Sequence, residues 1–65
     1  MTLIVNGEPR ALEATTLADA LRALDYDGAS VATALNGAFV AHRLRDATPV
    51  KDGDRIEIVA PRQGG

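Results

Sequence analysis

Short apolar runs separated by Asn-Gly pairs predict two β-hairpins in this 65-residue chain. The apolar residues 3–5 lead into Asn6 and Gly7. This dipeptide is preferred in a two-residue type I′ turn, because both central positions of that turn need a positive φ. A second pair, Asn36 and Gly37, lies between two further apolar runs and predicts another hairpin of the same kind.

A helix is predicted between the two hairpins. Thr16 is a good N-cap residue, and Asp19 three positions later forms a variant of the capping box. Apolar residues then recur at the spacing of one helical stripe, and they are Leu17, Ala20, Leu21 and Leu24. Gly28 is the predicted C′ residue at which the helix stops.

The last third of the chain predicts a loop, a turn and a final strand. Residues 43–50 (RLRDATPV) have the pattern of a loop that leads to a short strand near Val50. Gly53 supplies the positive φ of a turn in residues 51–54. The final segment alternates, with Ile56, Ile58 and Ala60 on one face and Arg55, Glu57 and Val59 on the other.

The order of these elements is a hairpin, a helix and two or three further strands, which favours an α+β fold with one helix across one face of a mixed sheet. Pro9 cannot donate a backbone hydrogen bond, so its strand should lie at a sheet edge. If the first and last strands pair, they do so in parallel, because the helix lies in the connection between them. This is the β-grasp pattern, with four to five strands. We expect one such domain over residues 1–60 and a flexible, extended tail over residues 61–65.

Composition excludes several classes of function. The net charge is -2 and the basic residues are scattered, so no basic patch for nucleic acid is expected. No apolar run is long enough to span a membrane and no signal-peptide pattern is present, which favours a cytoplasmic protein. The absence of cysteine rules out disulfides, a thiolate nucleophile and a Cys-ligated zinc site.

The candidate catalytic and metal-binding side chains are few. His42 has no second ligand or acid near it in sequence, so an ordinary loop histidine is favoured. Residues 52–54 (DGD) lack the twelve-residue ligand series of a calcium loop, so a simple turn is favoured there. The hydroxyl groups have no base at a recognisable spacing, and they belong to Thr15, Thr16, Ser30, Thr33 and Thr48. We therefore expect neither an enzyme nor a metal site.

Two apolar side chains are predicted on the outward face of the sheet. If the first and last strands are neighbours, Ile4 and Val59 share an exposed apolar patch, which often marks a surface for a partner protein. The alternative is that they are isolated exposed residues of the ordinary kind.

The chain ends in PRQGG, and residues 61–65 would span about 17 Å when fully extended. Because glycine has no Cβ, Gly64 and Gly65 could pass through a narrow channel and present the terminal carboxylate inside another protein's active site. An α-carboxyl group has a pKa of about 3.3–3.7, so it is an anion at neutral pH and reacts only after activation, for example as an acyl-adenylate. A sulfur donor could then displace AMP and leave a thiocarboxylate. The alternative is a frayed end without a function.

Five segments, VNGE, TLADALRAL, VATALNGAFV, VKDGDRIEIV and the final GG, together resemble the sulfur carrier proteins of thiamine biosynthesis, which are relatives of ubiquitin. The resemblance covers nearly the whole chain. It implies that an E1-like enzyme adenylates Gly65 with ATP and that the thiocarboxylate formed there delivers sulfur to thiazole synthase. It also implies a sulfur donor such as a cysteine desulfurase and no permanently bound cofactor. Gly64 and Gly65 match the family's diglycine, whereas residues 61–63 are more polar than is usual there.

Three alternatives stay open at this point. The small subunit of molybdopterin synthase also carries sulfur on a diglycine, although its relatives are usually longer. A protein modifier would use the same activation to join Gly65 to a lysine of another protein. A β-grasp interaction module would bind its partner through the sheet and have a tail without a function.

Overall fold

A computed structural model of the chain describes residues 1–26 and 30–60. The strands within these ranges are β1 (Thr2–Val5), β2 (Glu8–Ala11), β3 (Ala32–Leu35), β4 (Ala38–Val40) and β5 (Arg55–Val59). The α-helix is α1 (Leu17–Ala23), and a 3₁₀ helix covers His42–Ala47.

The strands form one mixed sheet in the order β2-β1-β5-β3-β4. β1 and β5 are parallel, with Val5 opposite Ile56, and the other neighbouring pairs are antiparallel. The parallel pair follows from the chain path, because α1 lies in the connection that returns the chain to the same end of the sheet. The predicted α+β fold of the β-grasp type, a five-stranded mixed sheet with one helix, is confirmed. Residues 61–65, for which a flexible tail was predicted, lie outside the described ranges.

Both predicted hairpin turns are confirmed by their backbone angles. The φ values are 50° and 85° at Asn6 and Gly7, and 50° and 86° at Asn36 and Gly37. Pro9 lies in β2 at the edge of the sheet, as its missing N–H predicts.

The hydrophobic core lies between α1 and the inner face of the sheet. Its buried members are Leu3, Val5, Leu17, Ala20, Leu21, Val40, Val50, Ile56 and Ile58. The predicted alternation of β5 is confirmed, because Ile56 and Ile58 are buried while Arg55, Glu57 and Val59 are exposed. Ala60 was predicted to face inward and is exposed, since it lies beyond the last residue of the strand.

The start of α1 is as predicted. Thr16 Oγ1 accepts a hydrogen bond from the Asp19 N–H, and the Asp19 carboxylate accepts one from the Thr16 N–H, each at 3.2 Å. These reciprocal bonds satisfy two backbone donors that have no partner within the helix.

The end of α1 differs from the prediction. The helix ends at Ala23, and Asp25 takes the left-handed conformation with a φ of 70°. The Tyr26 N–H donates to the Leu21 carbonyl at 2.8 Å, which closes a Schellman motif. Gly28, the predicted stop, lies outside the described residues, and the helix has already ended before it. An aspartate tolerates the left-handed region better than most residues, so a glycine was not required.

Residues 43–50 were predicted as a loop and a short strand, and both predictions need correction. Most of the segment is 3₁₀ helix, a structure too short to give a clear hydrophobic period. In place of a strand near Val50 there is a single bridge between Thr16 and Pro49. This part of the chain pairs with the first turn of α1 instead. The Thr48 carbonyl accepts a hydrogen bond at 2.8 Å from the Leu17 N–H, which has no acceptor within the helix.

Candidate functional site

The predicted functional residues Gly64 and Gly65 lie outside the described residues, as does the remainder of 61–65. The strand that precedes them, β5, is described in full and occupies the centre of the sheet. On one side β5 pairs with β3 as far as Val59, which lies opposite Ala32. On the other side the pairing with β1 ends at Ile56, because β1 itself ends at Val5.

Beyond the end of β1, the side chain of Asn6 supplies the hydrogen bonds on this second side of β5. Its Oδ1 accepts a hydrogen bond from the Ile58 N–H at 2.8 Å, and its Nδ2 donates to the Ile58 carbonyl at 3.1 Å. Both polar backbone groups of Ile58 are therefore bound by one side-chain amide, close to the point where the chain leaves the sheet.

The outer face of the sheet, opposite α1, carries an exposed apolar surface near the same end of β5. Phe39 is 73% exposed and Val59 is 64% exposed. Phe39 lies opposite Ala34, and Val59 lies opposite Ala32. The two small alanine side chains of β3 therefore lie between the large side chains of Phe39 and Val59 on this face. We call these four residues the outer patch.

The structure does not bring the two residues of the predicted patch together. Ile4 is half-buried on the same face as Val59, but it lies opposite Arg55. Val59 is four residues further along the strand, about 13 Å at the usual rise of 3.3 Å per residue. Phe39, by contrast, lines the same surface depression as Val59. No sequence signal marks Phe39 as outward-facing, because Ala38, Phe39 and Val40 form an unbroken apolar run without alternation.

The acidic residues with a perturbed pKa have structural partners. Asp54 is buried immediately before β5, where Lys51 Nζ donates to its Oδ1 at 2.8 Å and Asn36 Nδ2 donates to the same atom at 3.1 Å. The hydrogen bond from Lys51 contributes most to holding the pKa of Asp54 below its usual range, Asn36 adds to this, and burial opposes it. The pKa of Asp19 is lowered first by the hydrogen bond from Arg22 and then by those within the helix cap. Both carboxylates are therefore held by hydrogen bonds within the fold.

The structure also places the other candidate residues that the sequence singled out. Gly53 has a φ of 87°, as the turn in residues 51–54 requires. His42 is exposed at the first position of the 3₁₀ helix. The Thr33 hydroxyl is buried, donates to the Val40 carbonyl at 2.9 Å and accepts from Arg45 Nε at 3.0 Å.

Two further features are absent from the described residues. No group of three His, Cys, Asp or Glu side chains there is placed to hold a metal ion. Neither helix of residues 1–26 and 30–60 is long and apolar enough to cross a membrane.

The five-stranded mixed sheet with one helix on its inner face defines a protein of the ubiquitin-like β-grasp class. Comparisons with known proteins narrow this class. The model of the ThiS family matches residues 3–65. The sulfur carrier protein ThiS of Thermus thermophilus is 44% identical over 62 residues, which cover 94% of this chain and 95% of that protein.

Solved structures agree with this match. The crystal structure of the thiamine biosynthesis protein ThiS from Geobacter metallireducens superposes with a TM-score of 0.83 at 36% identity, and it covers the whole of both chains. A solution structure of a thiamine biosynthesis protein from the same organism gives a TM-score of 0.79 at 35% identity over 100% of this chain and 88% of that one. The chain belongs to the ThiS family.

Proposed function

We propose that this chain is a sulfur carrier protein of thiamine biosynthesis. The observation that carries the proposal is the match to the ThiS family, which extends to Gly65, together with the 44% identity to a sulfur carrier protein of nearly the same length. The described site is consistent with it. A carrier is the substrate of its partner enzymes and needs no catalytic side chain of its own, and the hydrogen bonds of Asp19 and Asp54 serve the fold.

The proposed chemistry takes place at the carboxylate of Gly65. At neutral pH this group is an anion and a poor electrophile. An E1-like partner enzyme would therefore join it to AMP, with release of pyrophosphate from ATP. Sulfide would then attack the acyl carbon, expel AMP and give the thiocarboxylate directly. With a persulfide donor such as a cysteine desulfurase, the outer sulfur would attack and expel AMP, and a thiol reductant would then cleave the S–S bond of the acyl disulfide to release the thiocarboxylate. The resulting thiocarboxylate would deliver its sulfur in the reaction of thiazole synthase, and Gly64 would allow the end of the chain to enter each active site.

We further propose that the outer patch contacts these partner enzymes. Val59 is the last residue of β5, so the patch lies at the end of the strand from which residues 61–65 continue. A partner that holds Gly65 in its active site therefore has the patch within reach. Exposed apolar residues grouped in this way favour a protein–protein contact.

The experiment is an intact-mass measurement of the purified chain after incubation with ATP, the adenylating enzyme of the same cell and sulfide. We expect a mass increase equal to the replacement of one oxygen by sulfur, and none in a control that lacks Gly65. Adding thiazole synthase and its substrates should then return the mass to its original value. If that enzyme leaves the thiocarboxylate intact while molybdopterin synthesis consumes it, the second sulfur pathway is the correct one.

Two other outcomes would contradict the carrier proposal. A covalent conjugate with another protein would identify a modifier. A chain that gains no sulfur but keeps its partner binding after loss of Gly64 and Gly65 would be an interaction module.

A further inference from the structure

The contact between Asn6 and Ile58 joins two residues that are 52 positions apart, and it lies at the last part of β5 before the chain leaves the sheet. A parallel ladder between β1 and β5 precedes it. The Ile4 N–H donates to the Asp54 carbonyl, and the Asn6 N–H donates to the Ile56 carbonyl, each at 2.9 Å. The acceptors thus advance by two residues along β5 at each step.

The next acceptor in this series is the Ile58 carbonyl, and the backbone of β1 cannot reach it. The chain turns at Asn6 and Gly7, and Glu8 then pairs with Val5 on the other side of β1. The side-chain amide of Asn6 offers one acceptor and one donor, as a peptide group does. It binds the N–H and the carbonyl of Ile58 in place of the missing residue of β1, and it extends the ladder by one step.

We propose that Asn6 is a positioning residue of the carrier, whose side-chain amide fixes the backbone of Ile58 and so sets the direction in which the chain leaves the sheet toward Gly65. This inference rests on the proposed carrier function. Asn6 meets two requirements at once. The turn needs a residue that accepts a positive φ at this position, and the backbone of Ile58 in β5 needs a donor and an acceptor. Asparagine is among the few residues that tolerate that φ, and its side chain also supplies the amide.

The direction in which the chain leaves the sheet is important because the reacting carboxylate of Gly65 is many residues away from Ile58. Seven residues follow Ile58, and a fully extended chain of that length spans about 24 Å. Where a partner enzyme holds that segment extended, a change of about 10° in direction at its base would move the far end by about 4 Å. Misplacement of a reacting group by 1 Å can already reduce a rate by about a hundredfold.

The second hairpin provides a matched control. Asn36 has the same φ of 50°, is also followed by glycine and also accepts a hydrogen bond from β5, from the Arg55 N–H at 2.9 Å. Its contact is at the first residue of the strand rather than near the last. Glycine accepts a positive φ, so Asn6→Gly and Asn36→Gly remove comparable side-chain bonds without straining either turn.

The test compares wild type, Asn6→Gly and Asn36→Gly as substrates of the adenylating enzyme, at a temperature at which circular dichroism shows all three to be folded. Formation of the thiocarboxylate is followed by intact mass. We expect Asn6→Gly to lower kcat by about tenfold or more with KM within about twofold, because the docking surface is unchanged while the reacting end is misplaced. We expect both constants of Asn36→Gly to stay within about twofold of wild type.

Amide hydrogen exchange gives a second readout that does not depend on the partner enzyme. The Ile58 N–H should exchange about tenfold faster in Asn6→Gly than in Asn36→Gly, because only the first variant removes its acceptor. If Asn6→Gly does not fold, Asn6→Asp takes its place. That variant keeps the acceptor for the Ile58 N–H but replaces the donor with a charged oxygen facing the Ile58 carbonyl, and it should show the same fall in kcat.

Equal kcat values for the Asn6 and Asn36 variants would overturn the inference and leave the carrier function intact. Unchanged exchange at Ile58 in Asn6→Gly would overturn it as well. A wild-type chain that forms no thiocarboxylate would instead overturn the proposed function, so the two failures are distinguishable.

Discussion

Replacement of Arg45 by methionine should destabilise the fold more than the same replacement at an exposed arginine. Arg45 is only 6% exposed. Its Nη2 donates to the Val31 carbonyl at 2.7 Å, and its Nε donates to the Thr33 hydroxyl. Since Thr33 in turn donates to the Val40 carbonyl, this one side chain links the 3₁₀ helix to β3 and, through Thr33, to β4.

The magnitude follows from these bonds. A hydrogen bond from a charged donor contributes about 1.5–3 kcal/mol, so the loss of two would cost about 3–6 kcal/mol. Methionine offsets part of this loss of stability, because it fills much of the same volume and avoids the desolvation penalty of a buried charge. We expect a net loss of about 3 kcal/mol in the free energy of unfolding. A domain of this length is stable by roughly 3–10 kcal/mol, so Arg45→Met would leave a marginal fold.

Urea unfolding followed by far-ultraviolet circular dichroism measures the loss. Arg43→Met is the matched control, because Arg43 lies in the same 3₁₀ helix and is exposed, and it should change stability by less than about 0.5 kcal/mol. A double-mutant cycle with Thr33→Val should give a coupling energy of about 1–2 kcal/mol. The reasoning is refuted if Arg45→Met costs less than about 1 kcal/mol or if the two changes are additive.

Two further predictions concern pH and partner binding. The hydrogen bond from Lys51 lowers the pKa of Asp54 in the folded state, so the unfolded chain takes up a proton first as the pH falls below about 4. The stability that Asp54 contributes is therefore complete above that pH and is lost below it. Acid unfolding followed by circular dichroism should be less steep in Asp54→Asn, and an identical acid limb would contradict this. Phe39→Ser should weaken binding to the adenylating enzyme by about tenfold in calorimetry, at a cost to stability below about 1 kcal/mol. Leu44→Ser, a change at an exposed residue of the 3₁₀ helix, is the control, and equal Kd values for the two variants would exclude the outer patch from the contact.

Features that depend on neighbouring residues were predictable from the sequence. Asn6 and Gly7 predicted a turn because few other residues accept two consecutive positive φ values. Thr16 and Asp19 predicted the start of α1, because the free N–H groups of a first turn need nearby acceptors. Pro9 predicted an edge strand because it lacks a donor. The order of the elements then left the parallel pairing of β1 and β5 as the simplest arrangement.

Features that depend on the register between distant strands were decided only by the tertiary structure. The sequence placed Ile4 and Val59 on one face, but the pairing of Ile4 with Arg55 separates them along β5, whereas Phe39 lines the same surface depression as Val59. The burial of Arg45 likewise depends on where Thr33 comes to lie, 12 residues away in sequence.

Asn6 illustrates both sides of this division. Its role in the turn was evident from the dipeptide alone, because a positive φ is a local steric property. Its second role, which is to bind the backbone of Ile58, depends on a strand 52 residues further along the chain. It also depends on β1 ending at Val5, so that the side chain of Asn6 takes the place of the next strand residue. Local dihedral preferences determined which elements form, whereas the register of β1 against β5 decided which side chains meet where the chain leaves the sheet.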